Sequence, residues 1–265
     1  MKIGFIGVGN MGSAIMRAVL TVVNANSVFI SDANKDRVKK LSEVTGTVAS
    51  TNDVIALECD YIFLGVKPQM MKELLTSLSP SLKLRNSRVV LISMAAGLKI
   101  DALSEMLGEK YPIIRIMPNL PVSVGAGMTL YDSQNVTNEE IEIFLDFMKN
   151  TGKLNYLPEK LIDAGCSVSG CGPAFVCLMI EAISDAGVKC GLPRTTATEL
   201  AIQTLLGTSK LLKETETHPA MLKDAVCSPG GSTIAGVEAL ERNCFRSAVI
   251  EAVESSYKRN VELGK

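Results

Sequence analysis

The sequence predicts an α/β protein: a doubly wound parallel-sheet domain over residues 1–158, followed by an all-helical domain over residues 159–265. Three observations predict it. Short, continuously apolar runs alternate with amphipathic stretches through the first half. A glycine-rich loop follows the first of those runs. After Pro158 no strand pattern recurs, and Ala- and Leu-rich helical patterns broken by Gly and Pro take over.

The apolar runs at 2–6, 27–31, 61–66, 89–93 and 113–117 are β-branched and about five residues long, as strands buried on both faces of a parallel sheet require. Helical patterns separate them at 11–23, 35–43, 69–78 and 100–107. Two further strand-like segments, 126–131 and 153–157, flank a helix over 138–149. Beyond the boundary, Gly191–Leu192–Pro193 and Pro229–Gly230–Gly231 read as breaks between helices. The helix over 173–188 is apolar nearly all round, interrupted mainly by Glu181, Ser184 and Asp185. Such a helix must be covered on most sides, and a domain of this size has few helices to spare. A homo-oligomer built through residues 159–265 is therefore expected.

Composition narrows the function. With 47% apolar and 21% charged residues the chain is globular. Lys plus Arg number 27 against 28 Asp plus Glu, a net charge of −1, which gives no electrostatic ground for binding nucleic acid or an anionic membrane. The first strand pattern begins at Lys2 with no signal-peptide pattern, and the apolar run 174–180 is broken by Glu181 and Asp185 before reaching the length of a membrane span. A cytoplasmic location is expected. Seven cysteines without C-x-x-C or metal spacing, set among apolar neighbours, read as reduced core thiols, with no metal site.

The glycine loop is Gly7–Val8–Gly9–Asn10–Met11–Gly12, a G-x-G-x-x-G between a strand and a helix. In a Rossmann dinucleotide-binding unit Gly7 permits the turn, Gly9 lets the backbone approach a pyrophosphate, and Gly12 lets helix and strand pack closely. Free amides and the positive dipole end of the helix then hold the phosphates. Asp32, 20 residues beyond Gly12, is placed to accept from the ribose hydroxyls of NADH and to repel a 2′-phosphate. Against it, Lys35 and Arg37 suit a phosphate, Ser31 and Asn34 could donate to one, and Asp32 could instead serve the next helix as a cap. The residues lean towards NADH and leave NADPH open.

A second cluster, Cys227–Ser228–Pro229–Gly230–Gly231–Ser232–Thr233, opens another helix. Its small residues suit either an anion-binding set of backbone donors or a capped turn between helices. His218, in Thr217–His218–Pro219, reads as the cap of the helix that follows it, over 220–226.

These residues carry a resemblance. Phe5 through Gly12, Val66–Lys67–Pro68, Ser93–Met94–Ala95–Ala96–Gly97, Arg115–Ile116–Met117–Pro118–Asn119, Ser169 through Ala174, and Asp224 through Thr233 match, in order, the pyrroline-5-carboxylate reductase family. The sequence departs from the family at Cys171, usually serine, and at Asp32, since many members prefer NADPH. The resemblance implies reduction of 1-pyrroline-5-carboxylate to proline by NADPH or NADH, the last step of proline synthesis. It implies that Ser228, Gly230, Gly231, Ser232 and Thr233 bind the substrate, the amides taking its carboxylate and the Thr233 hydroxyl its ring nitrogen. It places Asn10, Met11, Val66, Lys67, Pro68, Ala95, Ala96 and Gly97 against the cofactor, Asn52 at the adenosine ribose and Asn119 near the nicotinamide. Lys67 is expected to be a solvated side chain beside the cofactor, more than a catalytic base. Hydroxyacid dehydrogenases of the same architecture use a lysine on the first long helix of the second domain, and 173–180 contains none. A non-catalytic cofactor-binding paralogue is the remaining alternative.

Overall fold

Strands β1 (Ile3–Ile6), β2 (Val28–Ser31), β3 (Val48–Ala49), β4 (Tyr61–Leu64), β5 (Val90–Ser93), β6 (Ile113–Met117), β7 (Gly127–Gln134) and β8 (Gly152–Tyr156) form one sheet in the computed structural model. That model describes residues 1–263. The sheet runs β3-β2-β1-β4-β5-β6-β7-β8, parallel except where β7 turns back antiparallel to β6. The parallel strands are buried on both faces, and side chains alternate between two cores. Ile3, Phe5, Ile30, Phe63, Ile92 and Ile116 pack under α1 (Asn10–Val19) and α6 (Asn138–Met148), with the Phe5 and Phe63 rings stacked at 4.4 Å. Ile6, Ile62, Leu64 and Leu91 pack under α3 (Asn52–Glu58), α4 (Met71–Lys83) and α5 (Ile100–Leu107). Each such side chain removed from water contributes roughly 1.5–3 kcal/mol, which makes this α/β frame rigid enough to hold a site.

β1 lies between β2 and β4, and successive strands leave it in opposite directions. The crevice at the carboxyl ends of β1 and β4 is where a fold of this kind binds its ligand.

The structure adds and corrects elements. β3 and α3 occupy a stretch where the sequence shows no pattern, because a two-residue edge strand and a seven-residue helix are too short to display a period. The start of α3 is set by Thr51, whose hydroxyl accepts from the Val54 amide at 3.3 Å. α1 stops at Val19, four residues before the sequence pattern ends. Thr21, Val22 and Val23 there are β-branched, which disfavours continuing the helix. α4 runs past Pro80 to Lys83 because Ser81 and Leu82 are buried and Ser81 Oγ donates to Asp53 Oδ1 at 2.9 Å.

The cysteines need correction too. All seven are free, yet only Cys59 is buried, while Cys177, Cys190 and Cys244 are exposed. Cys166 packs against a small cluster of Met117, Leu130 and Ile162, whereas Val176, Leu178 and Met179 around Cys177 are exposed in the single chain. The helical stretch Glu159–Lys189 also contains an 18-residue window of mean hydropathy 1.6 with at most two charges. Length and composition alone therefore do not exclude a membrane span, Glu181 and Asp185 notwithstanding.

The chain divides into two compact units: Met1–Cys171 with the chain end from Ser256, and Gly172–Ser255. The strands end beside the sequence boundary at 158, but α7 (Glu159–Ser169) belongs to the first unit. Arg115 on β6, 1% exposed, holds it there through Glu159 at 3.0 Å and Asp163 at 3.5 Å. The Glu159 amide donates to Asp132 Oδ2 on β7. Removing one partner of such a buried pair costs about 3–5 kcal/mol, so α7 is strongly tied to the sheet.

In the second unit α8 (Gly172–Lys189) and α9 (Arg194–Thr215) form a hairpin. Arg194 donates to Ser184 Oγ at 3.0 Å and pairs with Asp185 at 2.6 Å. α10 (Pro219–Val226) and α11 (Ser232–Arg242) follow, and α12 (Phe245–Leu263) begins in this unit, its residues from Ser256 on counting with the first.

Candidate functional site: a glycine cradle and an uncapped helix start

The loop after β1 separates three glycines by what surrounds them. Gly7 has φ +95°, and a Cβ there would meet the Gly65 carbonyl oxygen at 2.5 Å, so the turn excludes any side chain. At Gly12 a Cβ would meet the Gly7 carbonyl oxygen, which fixes how closely α1 approaches the loop. At Gly9 nothing lies within 4 Å. The space over Gly9 is therefore clear for a ligand at the start of α1, where no side chain caps the helix and no acid stands in its first turn. These residues fit a dinucleotide pyrophosphate.

A cavity of about 700 Å³ opens beside this loop. Of the residues singled out in the sequence, Gly7, Gly9, Ser31, Asp32, Lys35, Arg37, Asn52, Val66 and Lys67 line it. Asn10 begins α1, Met11 packs against the core, and Gly12 is buried behind the loop. Pro68 opens a short 3₁₀ turn after the exposed Lys67. The sequence reading missed Gly65, Thr51, Met70, Glu73, Leu74 and Ser77. Gly65 follows β4, the neighbour of β1, and its amide donates to the Ile6 carbonyl at 2.7 Å. Knowledge of the strand order is what would have revealed it.

Two polar residues turn inwards. Asp32 Oδ2 accepts from the Val8 amide and Oδ1 from the Asn34 amide, both at 2.9 Å, and Arg37 lies 3.4 Å from Oδ2. Ser31 Oγ, 2% exposed, donates to Asn52 Oδ1 at 2.7 Å and so fixes the Asn52 amide. Capping of α2 (Lys35–Thr45) falls to Asn34, whose Oδ1 accepts from the Arg37 amide.

Ala95 is buried, Ala96 exposed and Gly97 half-buried on the loop after β5. Asn119 follows β6 and is 9% exposed. Its Nδ2 donates to the Ser169 carbonyl, and its Oδ1 accepts from the Met128 amide, both at 2.8 Å. It thus ties the last residue of α7 to β7.

In the second unit, Ser228–Pro229–Gly230–Gly231 forms a turn closed by a hydrogen bond from the Gly231 amide to the Ser228 carbonyl at 3.0 Å. Pro229 supplies the second position, and Gly230, at φ +69°, supplies the third, which needs the left-handed region. The turn delivers Gly231 as the N-cap of α11 with no capping side chain and no acid in the first turn. A Cβ on Gly231 would meet Ser228 Oγ, so glycine lets that hydroxyl lie against the helix start. Ser232 and Thr233, both exposed, occupy the first turn. Backbone donors, a positive helix end and two hydroxyls suit a small carboxylate. His218 caps α10, its Nδ1 accepting from the Ala220 amide at 3.2 Å, as its sequence position suggests.

Comparisons with known proteins bear on both units. Residues 159–263 match a family described as pyrroline-5-carboxylate reductase dimerisation, and residues 2–97 match one described as NADP oxidoreductase coenzyme F420-dependent. The pyrroline-5-carboxylate reductase of Synechocystis sp. is 41% identical, covering 100% of this chain and 99% of the relative. That of Escherichia coli is 39% identical, covering 100% and 98%. A crystal structure of Plasmodium falciparum pyrroline carboxylate reductase with NADP bound covers 100% of this chain and 98% of its own, at TM-score 0.87 and 34% identity. With both units matched and relatives of this similarity spanning its whole length, the chain belongs to the pyrroline-5-carboxylate reductase family.

Proposed function

We propose that this chain reduces 1-pyrroline-5-carboxylate to proline, with NADPH or NADH as hydride donor, and works as a homo-oligomer in the cytoplasm. The observation that carries the reading is the uncapped start of α11 with Thr233 in its first turn, in a chain that also holds a clear glycine cradle. The reduced nicotinamide supplies a hydride to the imine carbon, and the ring nitrogen keeps its proton and becomes the amine of proline. No strong side-chain acid is required if the imine arrives protonated.

The protein's share is position and electrostatics. Gly7, Gly9 and Gly12 shape the loop that takes the pyrophosphate. Asn52, Val66, Lys67, Pro68, Ala95, Ala96 and Gly97 line the rest of the cofactor. The amides of Gly231, Ser232 and Thr233 hold the substrate carboxylate, Ser228 and Gly230 shape the turn that presents them, and the Thr233 hydroxyl hydrogen-bonds the ring nitrogen as its charge changes. Asn119 has both ends of its amide engaged within its own unit, which supports a positioning role more than contact with the nicotinamide. Alcohol oxidation has no base on α8, whose lysine, Lys189, is its last residue.

Steady-state oxidation of NADPH or NADH with pyrroline-5-carboxylate, compared with a panel of hydroxyacids, tests the reaction. Thr233→Ala tests the site. A hydrogen bond made in the transition state is worth roughly 1.5–4 kcal/mol, so kcat and kcat/KM should fall together by about ten- to several-hundredfold while cofactor affinity holds. Thr233→Ser should retain most activity. A kinetically silent Thr233→Ala would leave the residue a helix-start hydroxyl and nothing more.

A further inference from the structure

β5 runs parallel to β4 and β6, so the residues that follow it, 94–99, leave the sheet on the edge where the carboxyl ends of the strands form the ligand crevice. Little within this loop holds it in place. Ala95 is buried and its amide donates to Ser93 Oγ at 3.4 Å, Ala96 is exposed, and Gly97 stands at φ +77°, in the left-handed region. The far end of the loop is the start of α5. Lys99 is the N-cap residue there and has the extended backbone that position needs. A lysine side chain has no acceptor, and it caps nothing.

The missing acceptor comes from α7. Glu159 Oε1 accepts from the Ile100 amide at 2.8 Å, a residue 59 positions away, and the same oxygen accepts from Arg115 Nη1 at 3.0 Å. A carboxylate at the start of α5 also meets the positive end of the helix dipole. Glu159 is itself fixed at both ends. Its amide donates to Asp132 Oδ2 at 2.6 Å, and the Arg115 side chain against its carboxylate is 1% exposed. Asp163 already faces Arg115 Nη2 at 3.5 Å, so pairing with the guanidinium alone would not require an acid that also reaches α5.

We propose that Glu159 is a positioning residue for hydride transfer: by capping α5 from α7 it sets where Ala96 and Gly97 stand, and through them how the nicotinamide is held. The proposal rests on the reading of this chain as a nicotinamide-dependent imine reductase in which that loop lines the cofactor. Glu159 acts through the loop and donates no proton to the reaction.

Single-turnover oxidation of bound NADPH or NADH on mixing with pyrroline-5-carboxylate reads the transfer step directly. Glu159→Ala should slow it by about ten- to a hundredfold, the scale of a misplaced reacting group, while affinity for ADP, which lacks a nicotinamide, holds. Glu159→Asp keeps a charge before Arg115 but ends one methylene short of the Ile100 amide. It should slow the step too, and it serves if the alanine variant folds poorly. Asp163→Asn is the control for stability alone: it should lower the melting temperature and leave the rate unchanged. Lys99→Ser gives α5 a cap of its own, and in the Glu159→Ala chain it should recover most of the lost rate. A Glu159 variant that transfers hydride at the wild-type rate, an Asp163→Asn variant slowed as much, or a Lys99→Ser change that recovers nothing overturns the proposal. A wild type that oxidises neither cofactor with pyrroline-5-carboxylate overturns the function beneath it.

Discussion

A Cβ at Gly9 would meet nothing within 4 Å, whereas one at Gly12 would meet the Gly7 carbonyl oxygen. The same substitution should therefore separate two roles that the motif runs together. Gly9→Ala should keep most thermal stability and lose cofactor affinity, because its methyl group enters the space the pyrophosphate needs. Gly12→Ala should lose about 1–3 kcal/mol of stability without cofactor, because helix and loop must move apart. Thermal melts and cofactor titrations of the two variants make the comparison, and equal melting losses would mean that Gly9 is also a packing glycine. The turn at Gly7 and the close packing at Gly12 were legible from spacing alone, because each follows from the backbone path of a strand–turn–helix. The orientation of Asp32 was not. Its position 20 residues past Gly12 is visible in the sequence, but its bond to the Val8 amide depends on β1 and β2 lying side by side.

The connection from α3 to β4 makes a pH prediction. Cys59 closes α3 and is fully buried, and desolvation pushes its thiol up to about 12. Tyr61 opens β4, donates its hydroxyl to the Glu140 carbonyl at 3.0 Å, and is likewise pushed by burial up to about 12. Both groups favour the fold in their neutral forms. Their contribution is complete below their ordinary values of 9.0 and 10.0 and is lost as pH rises from there towards 12. Denaturant unfolding at pH 7, 9 and 10.5 should show stability falling over the upper interval, with Cys59 contributing on the order of a few kcal/mol by pH 12. Cys59→Ala should flatten that fall while shifting stability by a constant amount at neutral pH. A slope unchanged by the substitution would place the alkaline sensitivity elsewhere. The α3 helix itself was illegible in the sequence. It is short, and what sustains it is Ile55 and Ala56 packed under the sheet, a contact that no local pattern announces.

On the scale of the whole molecule, the second unit leaves a large apolar surface in the single chain. On α8 alone Val176, Leu178, Met179 and Ile183 are exposed, Leu178 by 67%, and Ser184 is its one buried residue. An apolar expanse of this kind marks an interaction surface. The match of residues 159–263 to a dimerisation family supports a second copy of the chain as its cover. Light scattering should then give a mass well above 28.3 kDa at micromolar concentration. Leu178→Lys should shift the protein towards monomer, since a charge tolerated at an exposed position becomes costly once that position is covered. Cofactor binding should persist. A variant that assembles like wild type would place the interface on another face of the unit.

The sequence by itself determined the fold class, seven of the eight strands in order, the glycine loop, the turn that opens α11, and an apolar helix needing cover. All of these are local: a period of two or 3.6, a glycine where the chain must turn, a proline where a turn begins. The tertiary structure alone decided the rest. It turned β7 against β6, set Gly65 beside Gly7, held α7 to the sheet through Arg115, and closed Asp32 onto the glycine loop. Each of these is a contact between residues far apart in the chain. Whether it forms depends on strand order and burial, which no stretch of sequence encodes on its own.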